Sequence, residues 1–250
     1  MSLYNFIVNL YKNFFSPQTC LNCGELCSGY ICADCIRKID KINGNLCSYC
    51  GSLLPHESKS DSLCSFCKEK EFSFYKLRSF GRYEGILRKA IINFKYNKIY
   101  SVSSELARLL KKMLIEHFPD EDIDFIETVP DFNIGQDETY ISHENSFKKT
   151  ERSHMELLAS KLSELTKIPF VNNIIKIRKT SRQQMLNKNE RLLNLKNVFK
   201  ARNPFLYYRK NILLIDDVVT TGSTINEVAC AMKRCMADKV YVMTLARVNA

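Results

Sequence analysis

Asp216 and Asp217 stand side by side where the apolar run Ile212 to Ile215 ends, and the hydroxyl-rich turn Thr220-Thr-Gly-Ser-Thr224 follows directly. In an α/β sheet, ligands sit beyond the carboxyl ends of the strands. Gly222 lets the backbone approach an anion closely, and Ser223 or Thr224 is expected to cap the next helix. The start of that helix offers free N–H groups and a positive dipole end to a phosphate. Carboxylates do not bind phosphate, so Asp216 and Asp217 need another target, with sugar hydroxyls or a bridging Mg2+ the natural ones. A ribose 5-phosphate fits this arrangement. A buried strand and a capped helix would need one turn-forming residue here, not two acids and five turn residues.

A second chemistry is written in the cysteines. Nine of eleven precede residue 70, and eight of those form four Cys-x-x-Cys pairs: Cys20/Cys23, Cys32/Cys35, Cys47/Cys50 and Cys64/Cys67. Two thiolates three positions apart chelate one tetrahedral Zn2+, and two such pairs close a structural site with no open position. Sequential pairing would give the tetrads Cys20/Cys23/Cys32/Cys35 and Cys47/Cys50/Cys64/Cys67, and interleaved pairing would give a cross-brace, so one or two Zn2+ are expected. Cys27 is spare or exchanges with a neighbour. Disulfides fit poorly with a chain lacking a secretion signal, and four pairs exceed the single pair of a thioredoxin-like centre. Cys230 and Cys235, in the helical run after the turn, read as small core residues.

What must position these groups is an α/β domain. The 250 residues suffice for one such domain plus a small appendage, which divides the chain into an N-terminal helix and double zinc module over 1–70 and a larger domain over 71–250. Apolar spacing predicts helices over Tyr83–Tyr96, Val102–Phe118, Glu151–Leu165 and Ser223–Ala237. Strands are expected over Phe72–Phe80, Asp124–Pro130, Ile168–Ile177, from Ile212, and over Lys239–Arg247. Alternating strands and helices imply a parallel sheet. Between the second and third of these strands lies a polar stretch, Asp131–Thr150, long enough to be a functional or disordered loop. The basic segment from Arg178 to Arg202 is a plausible lid.

The net charge is +10, which favours anionic partners, although the lysines are spread rather than gathered in one tract. No apolar run approaches the ~20 residues of a membrane helix. Residues 1–15 have helical spacing without a basic leader or cleavage site, and they read as a docking helix of a cytoplasmic protein.

The segment Ile212 to Thr224 resembles the phosphoribosyl diphosphate (PRPP) signature of type I phosphoribosyltransferases. The resemblance extends over nearly the whole chain to the ComF family, carried by Ser16–Gly24, by Tyr83–Tyr96, by Arg178, Thr180, Gln183, Leu186, Arg191, Asn194 and Phe199, and by the turn with Thr244–Arg247. It implies a type I phosphoribosyltransferase-like parallel sheet flanked by helices, with a small N-terminal zinc-ribbon module. By that likeness Asp216 and Asp217 hold the ribose 2- and 3-hydroxyls, and Thr220, Thr221, Gly222, Ser223 and Thr224 hold the 5-phosphate. Lys95, Arg178, Arg182 and Arg191 are candidates for contacting the diphosphate with its Mg2+. His154 reads as a surface or satisfied histidine. Purine-salvage members carry an Asp where Thr220 stands, so that activity is not expected. The family's competence association implies a role in DNA uptake, either as a transferase with an unassigned acceptor or as a non-catalytic PRPP- or nucleotide-binding accessory that meets single-stranded DNA or competence partners.

Overall fold

The computed structural model describes residues 18–59, 61–97, 99–130, 153–177 and 198–248. The expected docking helix, the polar stretch 131–150 and the lid residues Arg178, Arg182 and Arg191 lie outside them.

Two ribbon units come first. In one, the two-residue strands β1 (Gln18–Thr19) and β2 (Leu26–Cys27) pair antiparallel, and the short helix α1 (Ala33–Arg37) follows. In the other, a Leu46–Leu53 bridge closes the knuckle and α2 (Ser65–Glu69) completes the unit. The knuckle turns close through Gly24 N–H to the Cys20 carbonyl and Gly51 N–H to the Cys47 carbonyl.

The remainder builds a four-stranded parallel sheet in the order β3 (Lys76–Arg82), β8 (Val240–Arg247), β7 (Ile212–Val219), β4 (Phe125–Thr128). Ile212 to Ile215 and Val240 to Met243 have no solvent exposure, as continuous apolar runs in a doubly covered sheet should. Side chains alternate between the faces. Leu213, Ile215, Tyr241 and Met243 meet α3 (Gly85–Lys95), α4 (Ser103–His117) and α5 (His154–Thr166). Ile212, Leu214, Val240 and Val242 meet α6 (Ser223–Arg234) and the hairpin of β5 (Ile174–Lys176) with β6 (Phe199–Ala201). Burying one such Leu or Ile contributes about 1.5–3 kcal/mol.

The ribbons straddle this sheet. Ile31, Cys35 and Ile39 of the first join the α3/α4 face, while Tyr49 of the second packs against the α6 face. The chain between them crosses the free edge of β3, where Ile42 N–H donates to the Phe80 carbonyl and Arg82 N–H to the Asp40 carbonyl.

Four expectations need correcting. The strand over Phe72–Phe80 begins only at Lys76, because Phe72 and Phe74 instead stack on each other, centroids 4.9 Å apart, and against Tyr49 of the second ribbon. The strand over Ile168–Ile177 splits: Phe170 bridges Ile126 in parallel, whereas Ile174–Lys176 turns away to pair with β6. Pro169 has no N–H to donate, and the Asn173 N–H leaves the ladder for Glu127. The helix after the turn stops at Arg234 rather than Ala237. Cys230 and Cys235 are half-buried at the margin of the core.

Candidate functional site

β7 does not end at the paired acids; it continues to Val219, so Asp216 and Asp217 lie within the strand and the turn begins three residues later. Alternation drives Asp217 toward the α3/α5 face, where it is 4% exposed. Lys95, the last residue of α3, donates from Nζ to its Oδ2 at 2.6 Å. His154, the first residue of α5, places Nε2 3.4 Å from the same oxygen, with its ring edge-on to Phe94. Three elements that are distant in sequence thus converge on one carboxylate. Burial works against ionising Asp217, but the hydrogen bond from His154 and the charge of Lys95 outweigh it, holding the group below the usual carboxylate range. Burial likewise opposes the charge on Lys95, and Asp217 more than compensates, raising it above the usual lysine range. Asp216, half-buried, accepts from the Asp217 N–H at 2.9 Å.

The turn differs from expectation in how the helix is capped. Neither Ser223 nor Thr224 takes the cap; Gly222 occupies it in the left-handed region, φ 72°, and has no side chain to offer. Thr221 Oγ1 instead bonds the Ser223 hydroxyl at 2.9 Å and accepts from the Ser223 N–H at 3.4 Å. Thr220 and Thr221 are exposed. The result is a helix N-terminus flanked by hydroxyls, a geometry that suits an anion, at the end of a turn that begins three residues along the chain from Asp217. A pocket of about 300 Å3 runs from Thr220, Thr221 and Gly222 to Phe66, Phe72, Phe74 and Arg247, so the second ribbon forms part of its wall.

Each cysteine tetrad assembles in the sequential pairing, with its four sulfurs within 4.8 Å of one another, which settles against the cross-brace. The Cys23–Cys32 and Cys50–Cys64 sulfur separations are both 3.7 Å. Sulfurs about 2.3 Å from a tetrahedral Zn2+ stand about 3.8 Å apart, so the donor set fits that ion. Backbone N–H groups of Cys32 and Cys64 point at Cys20 Sγ and Cys47 Sγ, each at 3.4 Å, as they do in thiolate knuckles. Cys27 stays outside, its thiol donating to the Gly29 carbonyl.

Residues 12–70 match the Double zinc ribbon domain and residues 155–250 the Phosphoribosyl transferase domain. Competence protein F of Haemophilus influenzae is 29% identical over 244 residues, 94% of this chain and 99% of its own. Competence protein ComFC of Bacillus subtilis is 25% identical, covering 87% of this chain and 84% of its own. The chain belongs to the ComF family. DNA utilization protein YhgH of Escherichia coli K12 is a further relative, 26% identical over 87% of this chain and 90% of its own. Phosphoribosyltransferase-type architecture, a parallel sheet with the acid pair and the turn on one strand, is therefore joined here to a double ribbon.

Of the two readings of His154, surface or satisfied, the second holds: its side chain is 12% exposed and meets Asp217. Arg247 closes β8 and lines the pocket, a role no local pattern announces.

Proposed function

We propose that this ComF-family protein binds phosphoribosyl diphosphate at the β7–α6 turn, transfers its phosphoribosyl group to an acceptor, and serves DNA uptake or utilisation, as the names of its relatives suggest. The observation that carries this reading is Asp217, buried and held below the usual carboxylate range, on the same strand that leads into the Gly222 turn with its exposed Thr220 and Thr221. The 5-phosphate accepts from the first N–H groups of α6 and the Thr220, Thr221, Ser223 and Thr224 hydroxyls. Asp216 and Asp217 accept from the ribose hydroxyls, with Lys95 and His154 fixing the position of Asp217. In the transfer, the bond from the anomeric carbon to the diphosphate breaks and its electron pair leaves with the diphosphate. A bond to the acceptor forms, and the acceptor loses a proton. Positioning and electrostatics supply most of such a rate enhancement. Asp217 Oδ2 is already taken up by the Lys95 ammonium and the His154 ring, so Mg2+ would be held by the diphosphate rather than by Asp217.

We take residues 1–70 and 71–250 as the two units, with both tetrads holding structural Zn2+. A binding-only role is the second reading, favoured by Thr220, which cannot accept a proton from a purine as the Asp of salvage enzymes does.

Calorimetry with PRPP and Mg2+, paired with a pyrophosphate-release assay over nucleobases and short single-stranded DNA, tests both. Binding that Asp217→Asn abolishes supports the site, and unchanged affinity in that variant sinks it. Pyrophosphate release separates the transferase from the accessory.

A further inference from the structure

Two guanidinium groups are buried beside the second cysteine tetrad. Arg78 of β3 is 8% exposed and Arg247 of β8 is 7% exposed. Their hydrogen bonds all end on neutral acceptors. Arg78 donates to the Leu77 carbonyl at 2.7 Å and the Ser48 carbonyl at 3.1 Å. Arg247 donates to the Ser52 hydroxyl at 3.2 Å and to the Cys50 carbonyl, and its buried Nε has no partner. Among the described residues, no carboxylate is ion-paired with either. They repel one another, and the groups that favour their charge are thiols: Cys47 and Cys50 for Arg78, all four of the tetrad for Arg247.

Buried like charges without a counter-charge are strongly unfavourable. Four thiolates around one dication carry a net charge of −2, and two guanidiniums cancel it. The first tetrad is built differently. Cys23 is exposed and Cys32 half-buried, and the side chain reaching its sulfur is the neutral amide of Asn22, 3.4 Å from Cys35 Sγ. Lys89 reaches Asn22 rather than a sulfur. With Cys23 exposed, that centre is open to solvent.

We propose that Arg78 and Arg247 neutralise a doubly negative zinc–tetrathiolate centre at Cys47, Cys50, Cys64 and Cys67, which makes it the slowly released metal of the two. This rests on the zinc reading above. The hydrogen bonds to the Cys50 carbonyl and to Ser52 fix the knuckle, while the two charges offset that of the centre and slow attack by a chelator. Because Arg247 also walls the pocket next to Thr220 to Gly222, the same residue ties the ribbon to the phosphoribosyl site.

The test uses the full-length, zinc-loaded protein. Metal content is measured first, then zinc release to excess EDTA, with N-ethylmaleimide labelling of each cysteine followed by mass spectrometry. We expect Cys20, Cys23, Cys32 and Cys35 to be labelled at least tenfold faster than the second tetrad. Arg78→Met or Arg247→Met should accelerate only the slow phase, tenfold or more, and the Lys variants should restore most of the difference. Equal or reversed labelling order in the wild type overturns the proposal, even if the Met variants do not fold. Folded Met variants that release zinc at the wild-type rate overturn it too. Fewer than one zinc per chain overturns the zinc reading itself, so the two failures are told apart.

Discussion

Lys95 Nζ and Asp217 Oδ2 meet at 2.6 Å across 122 residues of chain, joining the end of α3 to the interior of β7. The carboxylate is almost fully buried while the lysine is about one-third exposed, so the burden of an unmade pair falls on the acid. Lys95→Met should leave Asp217 with His154 alone and cost about 1–3 kcal/mol near neutral pH in urea titrations, below the cost of breaking a fully buried pair because the lysine reaches solvent. Asp217 has a lowered folded pKa, so its stabilisation is present above the unfolded value near 4 and disappears as pH falls through the folded one. The difference between wild type and Lys95→Met should therefore shrink as the solution is acidified below that range. A difference that grows on acidification would contradict the assignment.

Gly222 separates folding from binding. A Cβ there would meet only Val219 Cγ2 at 3.8 Å, so space is not limiting, but the left-handed φ of 72° remains. Gly222→Ala should cost about 1–2 kcal/mol of stability from backbone strain alone. If a phosphate approaches this backbone as proposed, PRPP affinity should fall at least tenfold more than the stability loss accounts for. Calorimetry on the folded variant checks this, and affinity equal to the wild type would place the phosphate elsewhere.

The elements that were legible from sequence are those whose apolar period is long and clean. α3, α4 and α5 fall within a few residues of their expected limits, and so do β7 and β8, because each presents a continuous buried stripe. The tetrads were legible because thiolate spacing dictates the ligand set before any tertiary contact forms. The strand after α5 was not, since a proline and an asparagine pair redirect its hydrogen bonds to Glu127 and β6. Nor was the cap at Gly222, where the competing reading by hydroxyl side chains lost to a Thr221–Ser223 contact. The pairing of His154 with Asp217 and the burial of Arg78 and Arg247 are invisible locally, because they depend on where α5, β3 and β8 place these residues.

Glu127 offers a pH signature away from the site. It is 1% exposed on β4 and accepts from the Tyr207 hydroxyl at 2.5 Å and the Asn173 N–H at 2.9 Å. Burial pushes its pKa up to about 7, outweighing these hydrogen bonds. A raised folded value means the stabilisation is complete below the unfolded pKa near 4.5 and is lost as pH climbs through 7. Chemical denaturation should show stability declining across that window by an amount on the order of 3 kcal/mol. Glu127→Gln should flatten this slope, and an unchanged slope would assign it to another group.

Gly81 tests how the two ribbons are held across the sheet edge. A Cβ at this position would lie 2.6 Å from the Asp40 carbonyl oxygen and 3.0 Å from Leu87 Cδ2. The first of these is backbone and cannot rotate away. Gly81→Ala must therefore push the connecting strand off β3, at a cost of about 1–3 kcal/mol. The bonds at risk are Ile42 N–H to Phe80 and Arg82 N–H to Asp40, which cover an edge that would otherwise be free to pair with another chain. Hydrogen exchange should show these two amides losing protection while the amides of β7 keep theirs, and the variant should self-associate more readily on concentration. Retained protection at Ile42 and Arg82 would mean that the edge accommodates the methyl group without parting from the connecting segment, against this prediction.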